Sequence, residues 1–448
     1  MSATIKGAAT ELGTERIRKL LMQYAVPAII AMTASSLYNM VDSIFIGHGV
    51  GPLAISGLAL TFPLMNLAAA FGSLVGVGAA TLVSMRLGQR DYGTAQNILG
   101  NVVVLNLIIG LAFGITTLLL LDPILYFFGA SEATIGYARD YMSIILMGNV
   151  ITHMYLGLNS VLRASGHPRK SMYATIYTVV INAALDPLFI FVFDMGIAGA
   201  ALATALSQLV SFCILAWLFL HGRSIVRVHV RCISKRPGLY GEILLVGFPT
   251  ICRQGFASLS SALLNNAAAV YSDAAVAAVT ISNKVYLLVR SIVIGIGQGF
   301  QPVAGYNFGA GDKKRTRQAF WFSVLLGTAV CIVCAAVISL FPDEIMHFFR
   351  DDAEVTRIGR QALLYACAVM PLMGYSTYVN QLYQCLGFHQ AATLLASCRN
   401  GLLYVPLILI LPRMLGLPGV EMSQPGADLL TFVVSLPFQI WFFRHKLR

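Results

Sequence analysis

Twelve apolar stretches, each about 20 residues or longer, follow one another along the chain with only short charged or Gly/Pro-containing turns between them. Lipid offers the backbone no water. Each stretch must therefore satisfy its own N–H and C=O groups, and a helix does this within a single segment. The expected spans are 18–46, 53–82, 95–121, 134–161, 169–193, 198–220, 239–269, 275–305, 315–341, 355–385, 389–412 and 419–443. The fold class expected is an all-α integral membrane protein. Composition agrees: 11% of residues are charged, against about 25% in soluble domains. Stretches longer than 25 residues must tilt or run past the bilayer.

The formal net charge of +11 raises the question of nucleic acid, but the position of the basic residues excludes it. They sit in short connections and tails, as the positive-inside rule predicts. One set of connections holds Arg86 and Arg90, then Arg163, Arg169 and Lys170, then Lys313, Lys314, Arg315 and Arg317. The alternate set is acidic or bare, with Asp122, Glu132, Asp194, Asp273, Asp343 and Glu344. Both termini are therefore expected in the cytoplasm of a multi-pass plasma-membrane protein, the inner membrane if the source is bacterial. Glu11 and Glu15 interrupt the N-terminus, so it is not read as a cleavable signal peptide. Eight cysteines are present. Cys331 and Cys334 have CxxC spacing but no second ligand pair, and they read as soft packing residues. No disulfide is expected.

The chain also repeats itself at a spacing near 221 residues. LGQRDYGTAQ at 87–96 aligns with FGAGDKKRTR at 308–317, so that Asp91 meets Asp312. Pro27 meets Pro249, DPILYFFGA at 122–130 meets PDEIMHFFR at 342–350, and Gly166 meets Gly387. A six-helix offset gives parallel repeats related by an axis along the membrane normal. The organisation expected is an N-terminal lobe over 1–220, a cytoplasmic linker over 221–238 and a C-terminal lobe over 239–448, the two pseudo-symmetric six-helix lobes facing a central cleft.

Two carboxylates stand out inside these spans. Asp42 lies in YNMVDSIFIG of the first segment and Asp186 in INAALDPLFIFVF of the fifth. A charge at the bilayer centre costs roughly 2.5–3.5 kcal/mol on insertion scales, so such residues mark ion or substrate paths by default. Tyr38 and Asp42 share a helix face at i and i+4, with Asn39 beside them and Pro27 bending the helix upstream. Asn182 and Asp186 repeat that spacing, and Pro187 removes a backbone hydrogen bond next to them. Freed carbonyls and a carboxylate suit a hard cation such as Na⁺. An apolar surround disfavours a charged carboxylate, which suits a proton carrier. Either ion fits these residues.

The residues and motifs on both sides of the repeat resemble the multidrug and toxic compound extrusion (MATE) transporters over essentially the whole chain. The resemblance rests on YNMVDSIFIG, LGQRD, LRASGHPR, NAALDPLFIF with GIAGAALATALSQ, and IGQGFQPVAGYNFGAGD. It implies twelve helices in two bundles and export of amphipathic, often cationic drugs in exchange for Na⁺ or H⁺. It also implies a cation site built from Asp42, Asn182, Asp186 and Thr204. Alone, Thr204 would read as a small packing residue. A branch of the family places coupling acids in the second lobe. Here FASLSSALLNNAAAVY and ACAVMPLMGYSTYVNQLYQ carry none, so coupling is expected in the first lobe only.

The second lobe holds basic residues at membrane depth instead. Arg253 and Arg399 are expected to snorkel to the cytoplasmic face. Lys284 and Arg290 are candidates for charge facing the cleft. They keep one alternative open, a lipid or lipid-linked oligosaccharide flippase of the same superfamily. Asp428 is read either as intramembrane or as a helix cap. Gly295, Gly297 and Gly299 are expected to allow close helix approach. An enzyme is not expected, because His153 and His347 stand apart in sequence from any nucleophile or second ligand, and neither HExxH nor GxSxG occurs. The expectation is a monomer in the bilayer with small-molecule substrates, no nucleic-acid partner, and no cofactor beyond the coupling ion.

Overall fold

The computed structural model describes residues 11–221, 237–349 and 352–447. The side chains of Asn39, Met40, Ser43, Ile44, Gly47, His48 and Pro52 lie outside the description. Most of the linker expected over 221–238 also falls outside the described residues. The described residues are helical throughout, with no strand among them. The first half of the chain forms α1 (Ile17–Gly49), α2 (Pro52–Gly88), α3 (Tyr92–Leu119), α4 (Leu121–Phe127), α5 (Ile135–Met147), α6 (Asn149–Ala164), α7 (Pro168–Pro187) and α8 (Gly196–His221). The second half forms α9 (Pro237–Ala269), α10 (Asp273–Gly309), α11 (Lys313–Leu340), α12 (Pro342–Phe349), α13 (Ala353–Cys385), α14 (His389–Ser397), α15 (Tyr404–Leu415) and α16 (Leu417–His445).

Eleven helical spans among the described residues are long and apolar enough to cross a bilayer, and a bent pair makes a twelfth. That pair is α5 and α6, which the hydropathy pattern joins over 134–161. They meet at Gly148 with a 55° bend. Glycine is a common site for a sharp kink, and Asn149 fixes the break by donating from Nδ2 to the Gly110 carbonyl at 3.1 Å. A second departure from straight helix occurs in the fifth span of each half. A π-helical turn, Leu188–Val192, follows α7 directly, and another, Cys398–Leu402, follows α14.

The sequence repeat reappears as matched local chemistry. Asp91 caps α3 by accepting from the Thr94 N–H at 3.1 Å, and Asp312 caps α11 by accepting from the Arg315 N–H at 2.9 Å. Gly166 and Gly387 both take positive φ, 96° and 81°. Arg139 pairs with Asp122 at 2.7 Å, and their counterparts Arg360 and Asp343 pair at 3.0 Å.

The chain divides into two compact units that do not follow the two halves strictly. One unit takes Ile30–Ile251 and the other takes Arg16–Ile29 with Cys252–Arg448. The changeovers fall just after Pro27 in α1 and just after Pro249 in α9. In the second unit, Gly295 and Gly299 of α10 receive the N-terminal part of α1. A Cβ on Gly299 would lie 2.5 Å from the Ala25 nitrogen, and one on Gly295 would lie 2.8 Å from the Ile29 Cα. Small residues drive such packing in lipid because apolar burial gives little preference between helix and lipid neighbours. Gly299→Leu is therefore expected to lower the melting temperature of the detergent-solubilised protein by about 5 °C or more. Arg139→Ala and Arg360→Ala remove only exposed pairs and should each change stability by less than about 1 kcal/mol. Differential scanning fluorimetry of the three variants checks the contrast.

Candidate functional site

Asp42, Tyr38, Asn182, Asp186 and Thr204 converge within the first unit. Asp42 and Tyr38 come from α1, Asn182 and Asp186 from the C-terminal turns of α7, and Thr204 from α8. The small-residue run GIAGAALATAL forms the start of α8. Ala200, Ala201 and Ala203 are completely buried in it, which lets α8 approach α7 closely enough for Thr204 to reach the group. Asp186 and Asn182 have no exposed surface, and Asp42 is 5% exposed.

A hydrogen-bond chain links three of the elements. The Tyr38 hydroxyl lies 2.9 Å from Thr204 Oγ1. Asn182 Nδ2 donates to Thr204 Oγ1 at 3.3 Å and to Asp186 Oδ1 at 3.4 Å. The Asp42 and Asp186 carboxyl groups face each other. Pro187 ends α7 beside them and has no N–H to give to the Ala183 carbonyl. The following π turn closes with the Phe193 N–H on the Leu188 carbonyl at 3.0 Å. Turns of this type recur at functional sites. The Asn39 side chain lies outside the described residues.

What the group lacks is as informative as what it has. Asp42 Oδ1, Asp186 Oδ2 and Asn182 Oδ1 are all buried without a hydrogen-bond partner. Buried polar atoms are nearly always matched, and an exception calls for an explanation. Three unmatched oxygens at one place, from two carboxyl groups and an amide, form a hard donor set suited to a proton or a small alkali cation. Among the described residues no sulfur or imidazole joins the set, and no group of three or more His, Cys, Asp or Glu side chains is arranged for a metal ion.

One residue at the site was not singled out in the sequence. Tyr141 of α5 is fully buried, and its ring hydroxyl sits within electrostatic reach of Asp42, Asp186 and Tyr38. Nothing distinguishes it in RDYMSIILM from an ordinary core aromatic. Only the bend at Gly148 and the packing of α5 on α8 bring it to the carboxyl groups. His153, by contrast, is a packing residue whose Nε2 lies 2.9 Å from the Ala68 carbonyl of α2.

In the second unit the expectations need correction. Arg399 does not snorkel to the surface. It is 9% exposed, lies in the π turn after α14, and binds Asp428 at 2.6 Å. Asp428 is intramembrane and caps nothing, since it sits three turns inside α16. Lys284 is exposed on α10, whereas Arg290, halfway along the same helix, is partly buried and lines two partly open cavities.

A polytopic helical protein with repeated halves and an intramembrane carboxyl pair has the architecture of a membrane transporter. The family model MatE matches the chain twice, over residues 27–188 and 249–410. The chain belongs to the MatE family. The multidrug export protein MepA of Staphylococcus haemolyticus is 26% identical over 431 residues, covering 96% of this chain and 95% of that protein. MepA of Staphylococcus aureus is also 26% identical, covering 93% and 92%. An outward-facing multidrug resistance MATE family transporter of the MOP superfamily superposes with a TM-score of 0.92 at 25% identity, covering 97% of this chain and 98% of its own. The fold is shared as well with a MOP superfamily transporter from Pyrococcus furiosus, TM-score 0.92 at 24% identity, covering 98% and 99%.

The unmatched oxygens lead to a stability prediction. A buried carboxylate without a basic partner destabilises the protein that holds it. Asp186→Asn should therefore melt at the same temperature as the wild type or higher in buffer without Na⁺ at alkaline pH. A fall of about 5 °C or more would make Asp186 a packing residue instead. Thr204→Val, which strips Tyr38 and Asn182 of their shared partner, should destabilise by about 1–3 kcal/mol.

Proposed function

We propose that this chain exports amphipathic, often cationic drugs and toxic compounds across the membrane by antiport with H⁺ or Na⁺. The observation that carries this reading is the facing pair Asp42 and Asp186 with its three unmatched buried oxygens. The family membership and the relatives named for multidrug export support drug export over movement of a lipid. The coupling cation occupies the oxygens of Asp42, Asp186 and Asn182, with Thr204 and Tyr38 holding Asn182 and α1 in place. Binding of the cation removes an electrostatic penalty in one conformational state and not in the other. That difference in affinity is what shifts the population between inward- and outward-facing states. The size of the shift is limited by the differential affinity, about 1.4 kcal/mol for each factor of ten.

In this reading the protein works as a monomer in the plasma membrane with both termini in the cytoplasm. It needs no cofactor beyond the coupling ion and catalyses no covalent step. Either H⁺ or Na⁺ fits the oxygens, because a shared proton and a small alkali ion both neutralise facing carboxyl groups.

Purified protein in liposomes, with Na⁺ and pH gradients imposed separately, tests the proposal. Efflux of a fluorescent amphipathic cation should accelerate under one or both gradients. Asp42→Asn and Asp186→Asn should each abolish the gradient-driven component while the protein still reconstitutes as a folded monomer. Gradient-driven efflux that survives in Asp186→Asn would overturn the assignment. Tyr141→Phe keeps the ring and removes the hydroxyl beside the carboxyl pair. It should change the ion concentration giving half-maximal efflux without abolishing transport.

A further inference from the structure

The second unit contains a cluster of charge that the coupling site does not use. Three guanidinium groups, those of Arg253, Arg290 and Arg399, line one cavity of about 40 Å³. Arg253 lies midway along α9, Arg290 midway along α10, and Arg399 in the π turn between α14 and α15. Among the described residues a single carboxylate, Asp428, stands beside them, and its acceptor capacity is taken. Arg399 donates from Nε to Oδ1 at 2.6 Å and from Nη2 to Oδ2 at 3.4 Å. Tyr286 donates to Oδ2 at 2.5 Å, and Gln424 Nε2 to Oδ1 at 3.3 Å. Arg399 is held further by the Tyr286 hydroxyl and by stacking over the Tyr286 ring at 5.5 Å.

That leaves two positive charges without a carboxylate. Arg253 reaches only the neutral Gln384 Oε1, at 3.5 Å. Arg290 makes no hydrogen bond or ion pair with any described residue. It lines the first cavity and also a second one, of about 50 Å³, with Ser260, Asn283 and Tyr286. Arginine at membrane depth is costly and is normally matched by an acid or by carbonyls. Guanidinium does not escape by losing its proton, and the other polar groups lining the first cavity, such as Asn380, Gln381 and Asn400, are neutral, so a bound anion would supply the charge that the protein does not. A guanidinium presents a planar fork of donors suited to carboxylate and phosphate oxygens. A water takes roughly 10–15 Å³ of such space. The first cavity therefore has room for a group of a few heavy atoms. Ile294, Leu395 and Ala396 add an apolar wall to it.

The geometry points to an oxyanion site in the second unit, in which Arg253 and Arg290 bind the carboxylate or phosphate group of an amphiphile and Arg399 is held beside them by Asp428. The acidic group comes either from a soluble amphiphile or from a membrane lipid. The site is separate from Asp42 and Asp186, so it stands or falls independently of the coupling ion.

Full-length protein in phosphatidylcholine nanodiscs, titrated with octyl phosphate and octanoate and with octylammonium as the control, tests the site by melting temperature and calorimetry. The two anions should stabilise the wild type and octylammonium should not. Arg290→Gln and Arg253→Gln should each weaken anion binding at least tenfold, and Arg290→Lys, which keeps the charge and loses the fork, about threefold. Arg360→Gln, on an exposed pair, should bind as the wild type does. In discs containing phosphatidylglycerol, a lipid occupant would blunt the octyl phosphate response in the wild type, whereas a site reserved for soluble amphiphiles would keep it. Equal anion binding by the wild type, Arg290→Gln and Arg253→Gln would overturn the site, as would stabilisation by octylammonium as large as by the anions. If Arg290→Gln does not fold, Arg253→Gln and Arg290→Lys carry the same test.

Discussion

A polar atom inside a helix bundle in lipid has no water to fall back on, and the structure is organised around that shortage. It forces the backbone into helices and confines irregular backbone to places where something else supplies the missing partners. The π turn after Pro187 lies next to Asp186, and the π turn at Cys398–Leu402 contains Arg399. In both fifth spans the helix departs from regularity where an ionisable side chain needs room. The same shortage marks Asp42, Asp186 and Asn182, because three of their oxygens lie unmatched at one place, whereas buried hydroxyls such as those of Ser165 and Thr431 bond back to the carbonyl one turn earlier.

The two units meet the constraint with opposite chemistry. The first places two acids together and no base with them. The second saturates its acid Asp428 with Arg399, Tyr286 and Gln424. A saturated ion pair such as Arg399–Asp428 contributes little net stability against an apolar replacement, but breaking it by removing one partner costs about 3–5 kcal/mol. It therefore behaves as a fixed strut. An unsaturated acid pair is the reverse: its free energy changes sharply with what is bound. That contrast between the two clusters supports placing the proposed coupling ion at Asp42 and Asp186 and leaves Arg399–Asp428 as a static pair.

Much of this was legible before the fold was known, for physical reasons that vary by residue. The spans were readable because lipid enforces length and apolarity, and Asp42 and Asp186 because a lone acid in an apolar run has no cheap explanation. Asn182 follows from helical spacing alone, whereas Thr204 could be placed only through family resemblance. Tyr141 was not legible, since a tyrosine among Met, Ile and Leu is ordinary and its role depends on the α5–α6 bend. Arg399 was misjudged because length along a helix does not say which way a side chain leaves it. Its partner Asp428 is 29 positions away, and spacing rules end at about one turn. The bend at Gly148 was hidden for a similar reason, because hydropathy continues through it unchanged.

The assignment of α1 to both units gives the repeat a mechanical consequence. Residues 16–29 of α1 pack in the second unit, while Tyr38 and Asp42 on the same helix stand at the acid pair of the first. The changeover follows Pro27, where the ring removes a backbone hydrogen bond and lowers the resistance to bending. α9 makes the complementary passage after Pro249. Gly295 and Gly299 leave the N-terminal part of α1 almost no freedom, because the helices touch backbone to backbone there. Under the proposed coupling, a cation arriving at Asp42 therefore acts on a helix clamped at one end and free to bend at its proline. Strain at the acid pair must then appear either as a change of bend at Pro27 or as a shift of the clamped segment. Close packing makes the second far more costly than the first, so the proposed coupling would act through the bend.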